Sequence, residues 1–404
     1  MRALAPEREE ETMRNDNGDP QLDIVAQRWA DIDVDEAQSV LSRLRSPLHA
    51  DAVVAHSGRP TAAGSLVRTS AGTVFIKRYD RTVRDAASVL PYHRFVAHLA
   101  ARGIETPTFL AFDDASTALS GMGSGRSQET TLTVDNAVYE VSTRAAGDDR
   151  YREALSWDPP RTVSEAEALG SFMARLSSAA RDFAEPPVRR PNPFQDHFGL
   201  FAQDDVETAM RRWLGERPAV ADYLAATHRP VMSNLRAHRS YAARIASAYR
   251  LRPPCWTHGD PHVSNFLWRG SAPASVIDFG LADRNTAIFD LVETLERNTI
   301  QFVAIANGED ERCRPDLAIA ILRGYHRVCD LDQADLDLIA GMLPVSQSEA
   351  ALNWIAYYMT ATHRPQDAAW CYDTSLLGHT AWFGRTAGRR YLDAIRGCAD
   401  ALSC

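Results

Sequence analysis

The sequence lacks any uninterrupted apolar run that approaches the roughly 18 residues needed for a membrane-spanning helix. Its N-terminal stretch is polar and carries no apolar core of the kind found in secretory signal peptides. The six cysteines are scattered along the chain and form no CxxC pair or Cys/His cluster with zinc-ligand spacing. These absences predict a cytoplasmic protein with reduced thiols and no association with a membrane.

An excess of basic charge is also missing, because the formal net charge is −9. This balance argues against nonspecific binding to nucleic acid and is compatible with a cationic partner. Apolar residues make up 45% of the chain and charged residues 24%, as in ordinary globular proteins. A chain of 404 residues is too long for one compact core and predicts two lobes with a cleft between them.

The pattern of apolar residues divides the chain into a short arm and two larger parts. Residues 1–21 are polar and turn-prone, which predicts a disordered arm. Residues 22–143 predict leading amphipathic helices, then short strand pairs on either side of one helix, and a Gly/Ser-rich loop. Residues 144–404 show mainly helical periodicity, interrupted by strand-like runs within 266–277. We therefore predict a small lobe built on a sheet and a larger, mostly helical lobe.

One short segment concentrates polar residues in apolar surroundings. It reads His258-Gly259-Asp260-Pro261-His262-Val263-Ser264-Asn265, and Asp278-Phe279-Gly280 begins thirteen residues after the asparagine. Phosphoryl transfer from a nucleoside triphosphate needs a divalent metal and a carboxylate that orients the attacking hydroxyl. Because Mg²⁺ selects oxygen ligands, we predict Asn265 and Asp278 as its ligands and Asp260 as the base. We expect His258 to shape the loop through hydrogen bonds.

These elements resemble the HGDxxxxN and IDFG/IDWG motifs of the aminoglycoside phosphotransferase and choline-kinase superfamily. The resemblance covers roughly residues 55 to 385. It implies a bilobal α+β fold like that of protein kinases, and transfer of the γ-phosphoryl group of ATP or GTP to a hydroxyl. It also implies that Asp260 is catalytic, that Asn265 and Asp278 hold Mg²⁺, and that Asp290 supports the catalytic loop. Lys77, which ends the run Phe75-Ile76-Lys77, matches the strand lysine that contacts the α- and β-phosphates.

The helix of the small lobe departs from the family pattern. Protein kinases and many relatives pair the strand lysine with a helix glutamate, yet the stretch 83–102 contains none. Tyr92 or His93 stands at about the expected turn. This departure keeps a nucleotide-binding pseudokinase as one alternative function.

The loop that would cover the phosphates is also atypical. The stretch 57–65 lacks the GxGxxG pattern, which is a weak signal in any sequence. We nevertheless expect backbone amides around Thr61, Gly64 and Ser65 to contact phosphate.

The resemblance places the acceptor against the helical lobe, beside the catalytic loop. Asp283, Glu293 and Glu296 are therefore candidate recognition groups, which would bind ammonium groups of a cationic acceptor. The alternative for both glutamates is the solvated side of a helix. We predict a small-molecule acceptor such as a cationic antibiotic or natural product, with resistance by modification as the consequence. A Ser/Thr kinase acting on a peptide during natural-product maturation is the alternative, with the loop around 184–200 as part of its groove.

Overall fold

A computed structural model describes residues 29–57, 61–113, 130–188 and 198–402. The predicted arm and the predicted Gly/Ser-rich loop lie outside these ranges. No helix within them is long and apolar enough to cross a membrane. The described residues form a small lobe built on an antiparallel sheet and a larger lobe that is mainly helical, as predicted.

The small lobe contains a five-stranded antiparallel sheet in the order β1-β2-β3-β5-β4. Its strands are β1 (Ala50–Ser57), β2 (Ala63–Thr69), β3 (Gly72–Asp80), β4 (Leu132–Val134) and β5 (Ala137–Thr143). Gly72 closes the β2–β3 hairpin at a φ of +114°, which residues with a Cβ rarely adopt. The sequence pattern does not predict β1, because its alanine, aspartate and histidine residues give little β-type signal.

Alternation along the strands gives the sheet two different faces. On the outer face, buried apolar side chains of β2, β3 and β5 pack against helix α1 (Val34–Leu41). This helix begins at Asp33, whose carboxylate accepts a hydrogen bond from the amide of Glu36 at 2.8 Å. The leading helices expected from the sequence are thus represented, in the described ranges, by one helix that covers the outer face.

Helix α2 (Ala86–Ala101) lies on the inner face of the sheet. Its first turn is fixed by a capping box, in which Asp85 and Ser88 each accept a hydrogen bond from the other's backbone amide. The hydroxyl of Tyr79 on β3 lies 3.2 Å from the hydroxyl of Tyr92 on α2. The inner face of the sheet therefore directs polar side chains toward this helix.

The large lobe packs its helices around one hydrophobic core, which also takes up the apolar side chains of α2. Its helices are α3 (Val163–Ala180), α4 (Val206–Gly215), α5 (Pro218–Ala226), α6 (Val231–Asn234), α7 (Arg236–Arg250), α8 (Ala287–Thr299), α9 (Phe302–Ala306), α10 (Pro315–His326), α11 (Gln333–Met342), α12 (Ser346–Thr360), α13 (Pro365–Trp370), α14 (His379–Trp382), α15 (Thr386–Arg396) and α16 (Ala399–Leu402). A π-helical stretch, Cys371–Gly378, links α13 to α14. Helices α3 and α10 approach closely at two glycines. A Cβ added to Gly170 or Gly324 would lie only 1.9 Å from a carbonyl oxygen of the opposite helix.

Two short ladders hold the segments that carry the predicted chemistry. Strand β6 (Pro254–Thr257) pairs with β9 (Asp283–Thr286), and β7 (Phe266–Arg269) pairs with β8 (Ala272–Val276). The sequence pattern predicts β7 and β8 but misses β6 and β9, since four residues are too few to show a clear alternation. The first motif segment therefore connects β6 to β7, and the second connects β8 to β9.

Candidate active site

The carboxylate of Asp290 holds the catalytic loop through its backbone. Asp290 lies in the first turn of α8, and its two oxygens accept hydrogen bonds from the amides of His258 and Gly259, at 2.9 and 3.0 Å. Asp290 and His258 are both buried. Removing the carboxylate would leave two buried N–H groups without a partner, which is costly. The geometry is that of a residue that supports the loop.

His258 connects the catalytic loop to the residue before Asp278. Its Nδ1 accepts a hydrogen bond from the amide of Asp260 at 3.2 Å. Nε2 therefore carries the ring hydrogen and donates it to the carbonyl of Ile277 at 2.9 Å. The histidine side chain is thus used within the protein, in the position expected of a residue that shapes the loop.

Both motif segments contain a residue with left-handed backbone geometry. Gly259 has a φ of +80°, and a Cβ at this position would lie 2.4 Å from the carbonyl oxygen of Leu281. Asp278 has a φ of 58° and a ψ of 64°, which is uncommon for a residue other than glycine. Glycine adopts this geometry freely, whereas Asp278 is strained by it, and strained residues concentrate at functional sites, where the surrounding structure holds them in place.

The side chain of Asp260 is contacted on both of its oxygens. Arg297 Nη2 lies 2.8 Å from one oxygen, and His262 Nε2 lies 3.4 Å from the other. Sequence reasoning singles out neither partner. Arg297 does follow Asp290 by seven residues on α8, so the helical repeat places both on one face, and this spacing is the signal that could have indicated it.

Asn265 and Asp278 come from segments that hydrogen-bond to each other. The carbonyl of Asn265 accepts a hydrogen bond from the amide of Ile277 at 2.8 Å. The Asn265 side chain donates through Nδ2 to the carbonyl of Asp260, also at 2.8 Å. This contact fixes the orientation of the amide and leaves its oxygen to bind a cation. One carboxylate and one amide oxygen form a donor set that fits Mg²⁺.

Lys77 contacts the second motif segment through Asp278. Its Nζ lies 2.8 Å from Asp278 Oδ1, so strand β3 of the small lobe contacts the second motif segment directly. Burial alone would lower the pKa of Lys77, but the charge of Asp278, with a contribution from Glu140, raises it. The lysine is therefore cationic at neutral pH. Glu140 is buried on β5, within a strand that the sequence predicts, but its position opposite Lys77 depends on strand register.

The residues expected at the phosphate loop lie around the β1–β2 connection. Thr61 is in the turn, and Gly64 pairs directly with Lys77 across β2 and β3. Ser65 is buried, and its hydroxyl lies on the outer face, 3.4 Å from the carbonyl of Ile32. The hydroxyl of Ser65 therefore lies away from the face that carries Lys77, and a contact of this backbone with phosphate stays a prediction.

Two of the acids expected at the acceptor site have partners inside the protein. Asp283 is buried, and its Oδ1 accepts hydrogen bonds from two backbone amides at 2.9 and 2.7 Å. Glu296 is fully buried and lies 2.9 Å from Nε2 of His379. These contacts favour structural roles for both acids. Burial contradicts the alternative of a solvated helix face for Glu296 and equally for Glu293.

Glu293 lies on α8 between Asp290 and Arg297, both of which contact the catalytic loop. It is buried on α8, one turn before Arg297, and accepts a hydrogen bond from Nε2 of Gln347 at 3.0 Å. Burial raises the pKa of Glu293 to about 8, against the opposing effect of Arg297. The guanidinium of Arg297 lies 5.1 Å from the ring centre of Trp157. The surroundings of Asp260 therefore combine one arginine, a largely neutral glutamate, an amide and an aromatic ring.

The fold and the arrangement of the two motif segments define a kinase-like phosphotransferase. A family model confirms this class: the chain belongs to the phosphotransferase enzyme family (APH), whose model matches residues 61–331. It is accordingly a phosphotransferase with a hydroxyl group as acceptor. No curated protein sequence matches the chain.

Solved structures show the same fold at low sequence identity. A microcompartment-associated aminopropanol kinase matches with a TM-score of 0.53 and 15% identity, over 90% of this chain and 99% of that one. A choline/ethanolamine kinase family protein from Mesorhizobium loti matches with a TM-score of 0.53 and 18% identity, over 90% and 98%. An amicoumacin kinase in complex with AMP-PNP and Ca²⁺ matches with a TM-score of 0.50 and 12% identity, over 90% and 93%.

Proposed function

We propose that the chain transfers the γ-phosphoryl group of ATP or GTP, bound with Mg²⁺, to a hydroxyl group of a small molecule. One observation carries this proposal: a continuous set of contacts links Lys77 to Asp278, and the Asp278 segment through Asn265 to Asp260. In this proposal, a cation, two oxygen ligands and a carboxylate base act on the same bound triphosphate. These are the groups that phosphoryl transfer requires.

Each side chain has a defined task in this proposal. The carboxylate of Asp260 orients the acceptor hydroxyl and takes its proton while the hydroxyl oxygen bonds to the γ-phosphorus and the bond to the β-phosphate oxygen breaks. Lys77 binds the α- and β-phosphates. Asn265 and Asp278 would hold Mg²⁺, which neutralises the negative charge of the phosphates. His258 and Asp290 hold the loop so that Asp260 keeps its direction.

The residues around Asp260 also indicate which kind of acceptor could bind. The prediction of a cationic acceptor depends on acids that can contact it, and Asp283 and Glu296 both have partners within the protein. Glu293 is mostly protonated near neutral pH, since burial raises its pKa to about 8. We therefore propose a hydroxylated small molecule, such as an antibiotic or another natural product, that is recognised mainly by hydrogen bonds and by contact with Trp157.

Nucleotide binding tests the first part of the proposal. Thermal-shift measurements with ATP and with GTP, each with and without Mg²⁺, should show stabilisation that depends on the metal. The stabilisation should be lost in Asp278→Ala and kept in Asp260→Ala, because only the first change removes a metal ligand. Equal stabilisation of all three proteins without metal would contradict the proposed site.

A phosphorylation screen tests the acceptor. The panel should contain aminoglycosides, other basic antibiotics, neutral hydroxylated natural products, amino alcohols and Ser/Thr peptides, with Asp260→Ala as the inactive control. We expect turnover of a small molecule. Turnover of peptides alone would support the peptide kinase instead, and metal-dependent binding without turnover of any class would support the pseudokinase.

A further inference from the structure

We propose that Glu140 on strand β5 is the positioning residue for Lys77, in place of the glutamate that helix α2 lacks. The inference rests on the proposed function, because it assigns Lys77 to the phosphates of a nucleotide. According to this proposal, strand β5 supplies the carboxylate that helix α2 lacks.

Strand register places Glu140 beside Lys77. The two residues pair directly across β3 and β5, so both side chains leave the same, inner face of the sheet. Directly opposed residues of antiparallel strands have Cβ atoms about 5 Å apart, within reach of a long lysine side chain. Both residues are more than nine-tenths buried, with exposed fractions of 8% and 6%. A buried carboxylate therefore faces the lysine from its own sheet.

Helix α2 supplies hydrogen-bond donors where a glutamate would be expected. The hydroxyl of Tyr92 donates to Glu140 Oε2. Nε2 of His93 lies 2.9 Å from the same oxygen, and Nδ1 of His93 lies 2.8 Å from the hydroxyl of Thr130. These contacts are satisfied together when Nε2 carries the ring hydrogen and Nδ1 accepts from the threonine. The helix thus holds the carboxylate with two neutral donors.

The charges are consistent with an ionised Glu140. Burial would raise its pKa, but the close contact with His93, the charge of Lys77 and the hydrogen bond from Tyr92 outweigh burial and lower it. Burial lowers the pKa of His93, which keeps the imidazole neutral at pH 7. The role of Glu140 is therefore to place the lysine that pairs with it across the two strands.

A second carboxylate is needed because Asp278 has two tasks. Its Oδ1 contacts Lys77 at 2.8 Å, yet the proposed function requires Asp278 as a metal ligand. With Asp278 engaged as a metal ligand, Glu140 would be the acid that remains opposite the lysine in the sheet. The lysine ammonium group could then extend to the phosphates with this carboxylate still beside it.

The test compares Glu140→Gln with a swapped variant and a matched control. The swapped variant, Glu140→Gln with His93→Glu, returns a carboxylate to the helix next to the lysine. The control is Glu36→Gln, which removes a carboxylate from the opposite face of the same sheet, where Glu36 contacts Arg78 and accepts a hydrogen bond from Tyr139 at 2.9 Å. Calorimetric affinity for Mg²⁺·ATP, steady-state kinetics and circular dichroism are measured for each protein.

We expect Glu140→Gln to weaken kcat/KM for the nucleotide by about 10- to 100-fold, the loss typical of a hydrogen-bonded charged group, with the KM for the acceptor unchanged. The swapped variant should recover part of this loss, and Glu36→Gln should match the wild type. Equal nucleotide affinity and kcat/KM in Glu140→Gln and the wild type would overturn the inference, as would a loss that the swapped variant does not reduce at all. If Glu140→Gln does not fold, Tyr92→Phe carries the test, and an unchanged nucleotide KM in that variant overturns it.

Failure of the proposed function has a different signature. In that case the wild-type protein itself binds no Mg²⁺·ATP or Mg²⁺·GTP. Wild-type binding combined with full binding by Glu140→Gln refutes only the role assigned to Glu140.

Discussion

The substitution Asp290→Asn distinguishes an effect on the catalytic loop, measured as kcat, from an effect on the free energy of unfolding. The wild-type carboxylate accepts hydrogen bonds from the amides of His258 and Gly259 at 2.9 and 3.0 Å. Asparagine keeps one acceptor and turns an NH₂ group toward the second amide. One buried N–H left without a partner costs about 1–3 kcal/mol. This loss is small against a typical stability of about 5–15 kcal/mol, so the variant should still fold.

The catalytic consequence should exceed the loss of stability. Asp260 directly follows the two anchored residues, and a displacement of about 1 Å at a reacting group can lower the rate about 100-fold. We expect kcat to fall by about 10- to 100-fold while the KM for the nucleotide stays near its wild-type value. Urea denaturation, monitored by circular dichroism, measures the change in unfolding free energy, and steady-state kinetics measure the rate.

Glu349→Gln provides the matched control for this prediction. Glu349 is also buried, and its Oε2 accepts a hydrogen bond from the amide of Leu200 at 2.8 Å. This contact lies in another part of the large lobe, so the substitution should lower stability without changing kcat. Equal kcat values for Asp290→Asn and Glu349→Gln at similar unfolding free energies would refute the assigned role of Asp290.

Three further substitutions test separate parts of the structure. Gly259→Ala should lower kcat at least 10-fold and destabilise the protein by about 2–5 kcal/mol, because the new Cβ would lie 2.4 Å from the carbonyl oxygen of Leu281 at a backbone φ of +80°. Urea denaturation and rate measurements test this, and a variant that is both active and stable would contradict it. Glu293→Gln should gain melting temperature relative to the wild type as pH rises from 4.5 to 8. The neutral form of Glu293 stabilises the folded state fully below 4.5, and this contribution is lost as pH rises through the folded pKa of about 8; a pH-independent difference would rule out the raised pKa. Gly324→Ala should lower the free energy of unfolding, measured in urea, by about 1–3 kcal/mol, because its Cβ would lie 1.9 Å from the carbonyl oxygen of Glu167. The KM for either substrate should not change. An unchanged free energy of unfolding would show that the two helices are not in backbone contact.

Many strands and helices of both lobes were predictable from local pattern. Strand β3 with Lys77 and the hairpin of β7 and β8 follow from β-type runs bounded by glycine, and α11 and α12 from apolar periodicity. Short or weakly patterned elements were not. Strands β6 and β9 have only four residues each, and β1 is poor in β-branched and aromatic residues.

The residues that sequence reasoning missed are defined by contacts between distant parts of the chain. Glu140 lies within a predicted strand, but only the pairing of β5 with β3 shows that it faces Lys77. The sequence does not distinguish Arg297 from the other arginines, and only the fold shows that its Nη2 lies 2.8 Å from Asp260. The same limit applies to Glu296, which pattern alone could place either at a binding site or on a solvated helix. The fold instead buries it against His379.

Anomalous scattering from Mn²⁺, in crystals grown with a non-hydrolysable ATP analogue, tests the central claim most directly. The account predicts a peak in the cleft within about 2.5 Å of both the Asn265 amide oxygen and the Asp278 carboxylate, with the γ-phosphate directed toward Asp260. A metal held by phosphates and water alone, with neither side chain in contact, would contradict it.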